Sequence, residues 1–140
     1  MRVLIDTNII LDVLLNRTEF LELSSTVLKR IWERQYRGFV AATTLTNIYF
    51  IVRRATRKTG DAMAAVNKTL QWCEVAPVNR KVLDIARFSD MQDFEDAVQA
   101  AAALDIGIDL IITRDKSGFK NSGLQVCSPE EFLKAGLVNN

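Results

Sequence analysis

Hydrophobic positions along the chain alternate between two periods. Arg2 to Ile5 is a short apolar run that stops at Asp6, which suits a buried strand, and Ile9 to Leu15 follows as a short helix. Phe20, Leu23, Val27, Leu28, Ile31 and Tyr36 recur at helical spacing, and Gly38 is the predicted stop of that helix. Phe39 to Ala42 reads as a second strand, and Leu45, Ile48, Tyr49, Val52 and Ala55 mark one face of a third helix. Asp61 to Trp72 predicts a fourth helix, and Val75 to Val78 a weak strand interrupted by Pro77. Val82 to Phe88 is helical, and Phe94 to Leu104 is an alanine-rich helix ending near Gly107. Leu110 to Thr113 and Leu124 to Cys127 are strands. Ser128-Pro129-Glu130-Glu131 then opens a last helix, with an N-cap serine, proline at the first helical position and acids in the first turn.

Strands that alternate with helices imply βαβ units and a parallel sheet covered on both faces. The expected fold is α/β: a three-layer α/β/α sandwich around a central, mostly parallel five-stranded sheet. No internal repeat or linker divides the chain, so residues 1–140 are expected to form one domain.

Composition narrows the chemistry. The formal net charge is +1, so no global field draws the chain to nucleic acid or membrane, and any such binding must come from a local patch. Cys73 and Cys127 are too few and too far apart in sequence to suggest a zinc site or a disulfide framework. No apolar run approaches the ~20 residues of a membrane helix. Asp6 and Asp12 interrupt the apolar N-terminal stretch, which argues against a signal peptide, so a cytoplasmic protein is expected. Histidine is absent, which removes Ser-His-Asp and Cys-His hydrolysis, histidine-based RNA cleavage and His-ligated zinc together. Acid–base or metal chemistry must rest on carboxylates.

In an open parallel sheet, ligands bind beyond the carboxyl ends of the strands, near a switch in strand order. The first strand delivers Asp6-Thr7-Asn8 to that edge, the second Thr43-Thr44 with Asn47 in the following turn, and the fourth Thr113-Arg114-Asp115. Asp93-Phe94-Glu95-Asp96 opens the alanine-rich helix. A helix leading into a parallel strand is read as starting at the opposite edge, so Asp96 reaches Asp6 only if the preceding segment climbs back. Crowded carboxylates repel, and a hard cation with oxygen ligands resolves the conflict; Mg2+ or Mn2+ suits such a set. The residues alone point to metal-dependent phosphoryl chemistry without naming a substrate.

The same residues resemble a family. Val3-Leu4-Ile5-Asp6-Thr7-Asn8 is similar to the opening of PIN domains, including VapC-type toxins. Thr43-Thr44-Leu45-Thr46-Asn47-Ile48-Tyr49, Asp96-Ala97-Val98-Gln99-Ala100-Ala101-Ala102, Ile111-Ile112-Thr113-Arg114-Asp115 and Ser128-Pro129-Glu130-Glu131-Phe132 resemble later family segments, in order. The resemblance implies a PIN-like sandwich and a metal-dependent endoribonuclease, often a toxin held inactive by an antitoxin. Carried over by position, Asp6, Asp96 and Asp115 are metal ligands or water-positioning acids, and Asn8 and Thr113 orient them by hydrogen bonds. Asn47 stands where most of the family has Glu. Its amide oxygen can still ligate, and Glu95 is expected to restore part of the missing charge. Arg114 is the expected phosphate contact. RNA is the expected substrate, an antitoxin the expected partner, and a homodimer the expected assembly.

Each feature also has a structural reading. Asp6-Thr7-Asn8 can be a strand-to-helix turn with Asn8 as N-cap. Asp93 reads as a helix cap, and Asp115 in Thr-Arg-Asp-Lys-Ser-Gly fits ordinary turn chemistry. Asp12, Asp105 and Asp109 read as solvated or turn residues. The cluster Arg53-Arg54-Ala55-Thr56-Arg57-Lys58 reads as a solvated helix end ahead of an RNA rail. The functional alternative is a PIN fold that has lost cleavage and works as an RNA- or protein-binding module. A dehalogenase-like phosphatase needs a second Asp where Asn8 stands. A phosphorylated receiver domain needs an Asp after the third strand and a Lys after the fifth, where Val78-Asn79 and Cys127-Ser128 lie.

Overall fold

In the computed structural model residues 1–135 are described. Five strands form one sheet: β1 (Arg2–Ile5), β2 (Arg37–Ala41), β3 (Glu74–Ala76), β4 (Leu110–Ile112) and β5 (Gln125–Cys127). Every neighbouring pair is parallel and the spatial order is β3-β2-β1-β4-β5. Seven helices cover it: α1 (Thr7–Leu14), α2 (Leu21–Trp32), α3 (Ala42–Thr56), α4 (Thr59–Trp72), α5 (Arg80–Arg87), α6 (Phe94–Asp105) and α7 (Pro129–Lys134). A 3₁₀ turn, Lys116–Phe119, follows β4.

Period-2 alternation sorts the strand side chains between two cores. Val3, Ile5 and Val40 join Ile9, Val27, Ile31, Ile48 and Phe132 beneath α1–α4 and α7. Leu4, Phe39 and Ile111 face Ala100, Ala103 and Phe119 on the other side. There α6 lies between the sheet and α5, which contributes Val82 and Ala86. Its alanines suit that sandwiched position, because small side chains allow close approach on more than one side. A fully buried Leu or Ile in these cores contributes roughly 1.5–3 kcal/mol.

Gly38 does not end α2. The helix stops at Trp32, Arg34 takes a left-handed φ of 62°, and Gly38 lies within β2. A Cβ on Gly38 would stand 2.7 Å from Ile31 Cδ1, so the missing side chain lets α2 pack on the strand. Tyr36 belongs to the connection, buried against Phe132 with ring centroids 4.7 Å apart. Helix α3 starts at Ala42, directly where β2 ends, and β3 ends before Pro77.

The chain builds β1, β2 and β3 outward in one direction, then returns to place β4 against β1. The order therefore reverses between β1 and β4, and the carboxyl ends of these two strands flank the switch-point crevice. The expectation that α6 starts at the far edge is corrected. A helix that feeds a parallel strand must descend from the carboxyl edge, and α6 does so, bringing Asp96 to the end of β1 without special routing.

Candidate functional site

Asp6 ends β1 and caps α1, and its amide extends the ladder by donating to the Ile112 carbonyl at 3.1 Å. Its side chain is 4% exposed. Oδ1 accepts from Gln99 Nε2 at 3.1 Å and Oδ2 from Thr113 Oγ1 at 2.7 Å. Burial pushes the carboxyl pKa up, the hydrogen bonds from Thr113, Gln99 and the Thr7 amide pull it back, and the charge of Asp115 raises it. Thr113 also accepts from the Asp115 amide at 3.0 Å, so one hydroxyl ties the end of β4 to the end of β1.

Asp96 lies in the first turn of α6, where the Asp93 side chain caps the helix by accepting from the Asp96 amide at 2.9 Å. Gln99, one turn further on, reaches back to Asp96 Oδ1 at 3.5 Å. Burial, then the charges of Asp6, Asp93, Glu95 and Asp115, push the Asp96 carboxyl up to about 7. Asp115 caps the 3₁₀ turn, with Oδ1 accepting from Ser117 Oγ at 2.8 Å and the Gly118 amide at 3.2 Å. Its Oδ2 accepts no hydrogen bond among the described residues. A Cβ on Gly118 would stand 2.7 Å from Asp115 Oδ2 and 3.0 Å from Asp96 Oδ2. The absent side chain thus forms a cradle that both carboxylates face. It opens into a crevice of about 510 Å³ lined by Asp90, Asp93, Asp96, Asp115, Gly118 and Lys120, among others.

Asp6, Asp96 and Asp115 are therefore brought to one edge and feel one another's charge. Among the described residues, no three acidic or thiol side chains form a group close enough to hold an ion as placed. Asp6 is tied to its two donors, while Asp96 and Asp115 each turn an oxygen toward the cradle. Like charges, all-oxygen donors and a cradle sized for less than a methyl group fit a small hard cation.

The remaining predicted residues divide. Asn47 is half-buried and its amide supports the charge of Glu95, whose carboxyl is otherwise raised by burial and by Asp93 and Asp6. Asn8 is not placed to orient Asp6. Helix α1 begins at Thr7, which leaves Asn8 exposed in the first turn, accepting from Arg17 at 3.1 Å. Arg114 also departs from its expected role. Its Nε and Nη2 donate to Asp12 at 2.8 and 3.0 Å, and its guanidinium lies 3.7 Å over the Phe20 ring. Asp12, read as a solvated residue, is fully buried; Ser24 and Arg17 complete its partners at 2.9 and 3.4 Å. A buried carboxylate needs such partners, and this one holds the Arg114 guanidinium outside the lining of the acidic crevice. Arg53, Arg54, Arg57 and Lys58 are exposed and make no ion pair among the described residues.

Sequence reasoning missed Gln99 as a site residue. It is 1% exposed, bridges Asp6 and Asp96, and leaves its own Oε1 without a partner. The signal was a lone amide one turn after Asp96 in the otherwise apolar run 97–104. Gly118 was also legible only as turn chemistry.

Comparison with known proteins agrees with this architecture. The sequence profile of the PIN domain family matches residues 2–117. Ribonuclease VapC1 of Aquifex aeolicus is 22% identical over 138 residues, covering 95% of this chain and 94% of that protein. Among solved structures, VapBC2 from Rickettsia felis bound to a promoter DNA fragment superposes with a TM-score of 0.71 at 12% identity, covering 91% of this chain and 98% of that one. DNA-bound VapBC from Salmonella typhimurium gives 0.70 at 14% identity, with 92% and 98% covered. With the family profile spanning all but the last part of the molecule, and with the all-parallel sheet and switch-point acids already in place, this chain belongs to the PIN domain family.

Proposed function

We propose that the protein is an endoribonuclease that hydrolyses RNA phosphodiester bonds with Mg2+ or Mn2+. The observation that carries this reading is the meeting of Asp6, Asp96 and Asp115 at the switch point, with two of them facing the Gly118 cradle. Likeness to a ribonuclease supports the choice of substrate.

Asp96 and Asp115 would hold the ion through the oxygens turned to the cradle, with Asp6 behind them and Glu95 and Asn47 completing the acidic wall. When bound, a divalent ion supplies an acidified water and a counter-charge for the phosphodiester. The chain's own part is positioning. Thr113 and Gln99 fix Asp6, Asp93 fixes the start of α6, and Ser117 with the Gly118 amide fixes Asp115. Water attacks phosphorus, the bond to one ester oxygen breaks, and no covalent enzyme intermediate is needed.

Likeness to toxins solved as VapBC complexes supports a cognate antitoxin as partner, and exposed Trp32 and Phe50 provide apolar surface for that partner or for a homodimer. No described helix is long and apolar enough to cross a membrane, and both cysteines are free, in keeping with a cytoplasmic role.

The purified protein should cleave single-stranded RNA in Mg2+ or Mn2+ and stop in EDTA, and Asp6→Asn should abolish cleavage. Cleavage that persists in EDTA would refute the mechanism. Asn47 in the wall favours one second reading, a binding module without cleavage. No heat of Mn2+ binding at millimolar metal would select it.

A further inference from the structure

With Arg114 drawn into the Asp12 pair, the crevice needs another group to receive a polyanion beside its own carboxylates. Its lining carries Asp90, Asp93, Asp96 and Asp115 and a single cation, Lys120. The geometry points to Lys120 as the residue that contacts the RNA phosphate at the cleavage site, from the wall of the crevice that the acids leave free. This deepens the nuclease reading above and rests on it.

Two observations bear on the assignment. The lysine is exposed and has no carboxylate within ion-pair distance among the described residues, although it shares the crevice with acids. Neighbouring cations behave differently: Lys116 is held by Glu131 at 2.8 Å and Lys134 by Glu130 at 2.8 Å. Lys120 is also placed by the same turn that places Asp115. Asp115 caps the start of the 3₁₀ turn and Lys120 its end, donating its amide to the Ser117 carbonyl at 3.2 Å. Phe119 between them is 2% exposed and anchors the turn in the core. Acid and cation are thus set at opposite ends of one anchored turn, and both line the crevice.

The basic cluster at the end of α3 cannot serve this purpose. Arg54 lies ~10 Å along α3 beyond Asn47, so the Arg53–Lys58 cluster can meet only a distant part of a strand. Among the lining residues, Lys120 is the one cation that can meet a phosphate in the crevice. A contact of this kind positions the backbone and carries no sequence preference.

The test compares the unmodified protein with Lys120→Ala and Lys120→Arg. Binding of a labelled random-sequence pool of single-stranded RNA is followed across a salt series, and Mn2+ affinity is measured by calorimetry. Loss of one phosphate contact should make the slope of log K against log salt shallower by about 0.7 in Lys120→Ala, for every sequence alike, and leave it unchanged in Lys120→Arg. Mn2+ affinity should be the same in all three proteins. An unchanged slope in Lys120→Ala overturns the assignment. So does a Mn2+ affinity that changes while the slope does not, which would place the lysine with the acids. RNA binding without salt dependence in the unmodified protein overturns the contact and, if cleavage in Mg2+ persists, leaves the nuclease reading standing. A lysine-dependent slope without cleavage in Mg2+ removes the nuclease reading and leaves the contact standing.

Discussion

Replacing Asp96 by Asn removes the most strongly perturbed carboxyl group of the site while keeping its shape. Burial and four neighbouring carboxylates raise that group from 3.8 to about 7 in the folded chain, whereas unfolded it titrates near ~3.9. The folded state therefore holds the proton more tightly than the unfolded state does. The stabilisation is fully present below about pH 4 and is lost as the pH rises towards 7. Taken in full, that displacement corresponds to ~4 kcal/mol. Asp96 is only half-buried, and solvent screening reduces the figure to roughly 1–2 kcal/mol. The Asn variant has no charge to acquire, so it should be more stable than the unmodified protein by that amount at pH 8 and nearly equal to it at pH 4. Its amide oxygen can still accept from Gln99, so the weak 3.5 Å contact changes little. Urea unfolding in EDTA across this pH range is the measurement. A residual slope in the variant is expected, because burial also raises Asp6 and Glu95. Mn2+ should reverse the order, since a ligand that binds only the folded state stabilises it by mass action. Parallel stability curves for the two proteins in EDTA would refute the reasoning that Asp96 is held in conflict with its neighbours.

Gly118→Ala should fold normally but bind Mn2+ at least tenfold more weakly by calorimetry, because the new methyl would stand 2.7 Å from Asp115 Oδ2 and displace it from the cradle; unchanged affinity would move the ion elsewhere. Arg114→Ala should cost about 3 kcal/mol in urea unfolding, as expected for leaving a fully buried carboxylate short of its main partner; a loss below ~0.5 kcal/mol would show that Ser24 and Arg17 suffice for Asp12. Asn47→Glu should raise Mn2+ affinity and lower stability in EDTA, since it sets a second carboxylate beside Glu95; unchanged affinity would remove residue 47 from the ion's surroundings. Mn2+ affinity of the unmodified protein should fall as the pH drops below about 7, where the proton on Asp96 competes with the metal.

The fold was legible because its signals are local. Short apolar runs ending at Asp6 and Thr113, and helical spacing in between, are enough to imply a parallel sheet and its functional edge. Two of the misreadings concern groups whose role depends on distant partners. Asp12 reads as an ordinary polar residue in α1, yet it is fully buried because Arg114, 102 residues later, reaches it across the end of β4. No local pattern announces that pairing. It also misleads about Arg114, which stands beside Asp115 in sequence but turns its guanidinium onto Asp12 and Phe20. Gly38 is a different case. A glycine after a helical run is normally a stop signal, but here its value is close packing under Ile31. The approach of Asp6, Asp96 and Asp115 to one edge was legible from family position, as were the support from Thr113 and the Asp93 cap, while Gln99 and the hold of Ser117 and Gly118 on Asp115 were not.

Gln99 shows why such residues escape notice and why they matter. An alanine-rich helix between sheet and α5 would bury an apolar residue there without penalty, whereas a buried amide oxygen left without a partner costs roughly 1–3 kcal/mol. That cost is tolerable only because the other half of the amide does necessary work. Asp6 is nine-tenths inaccessible and flanked by two further carboxylates, and without donors its charged form would be expelled or protonated. Gln99 supplies one donor that touches Asp6 and Asp96 together, and Thr113 supplies the second. The amide thereby ties together Asp6 and Asp96, two carboxylates whose charges repel, and keeps the acidic edge in shape.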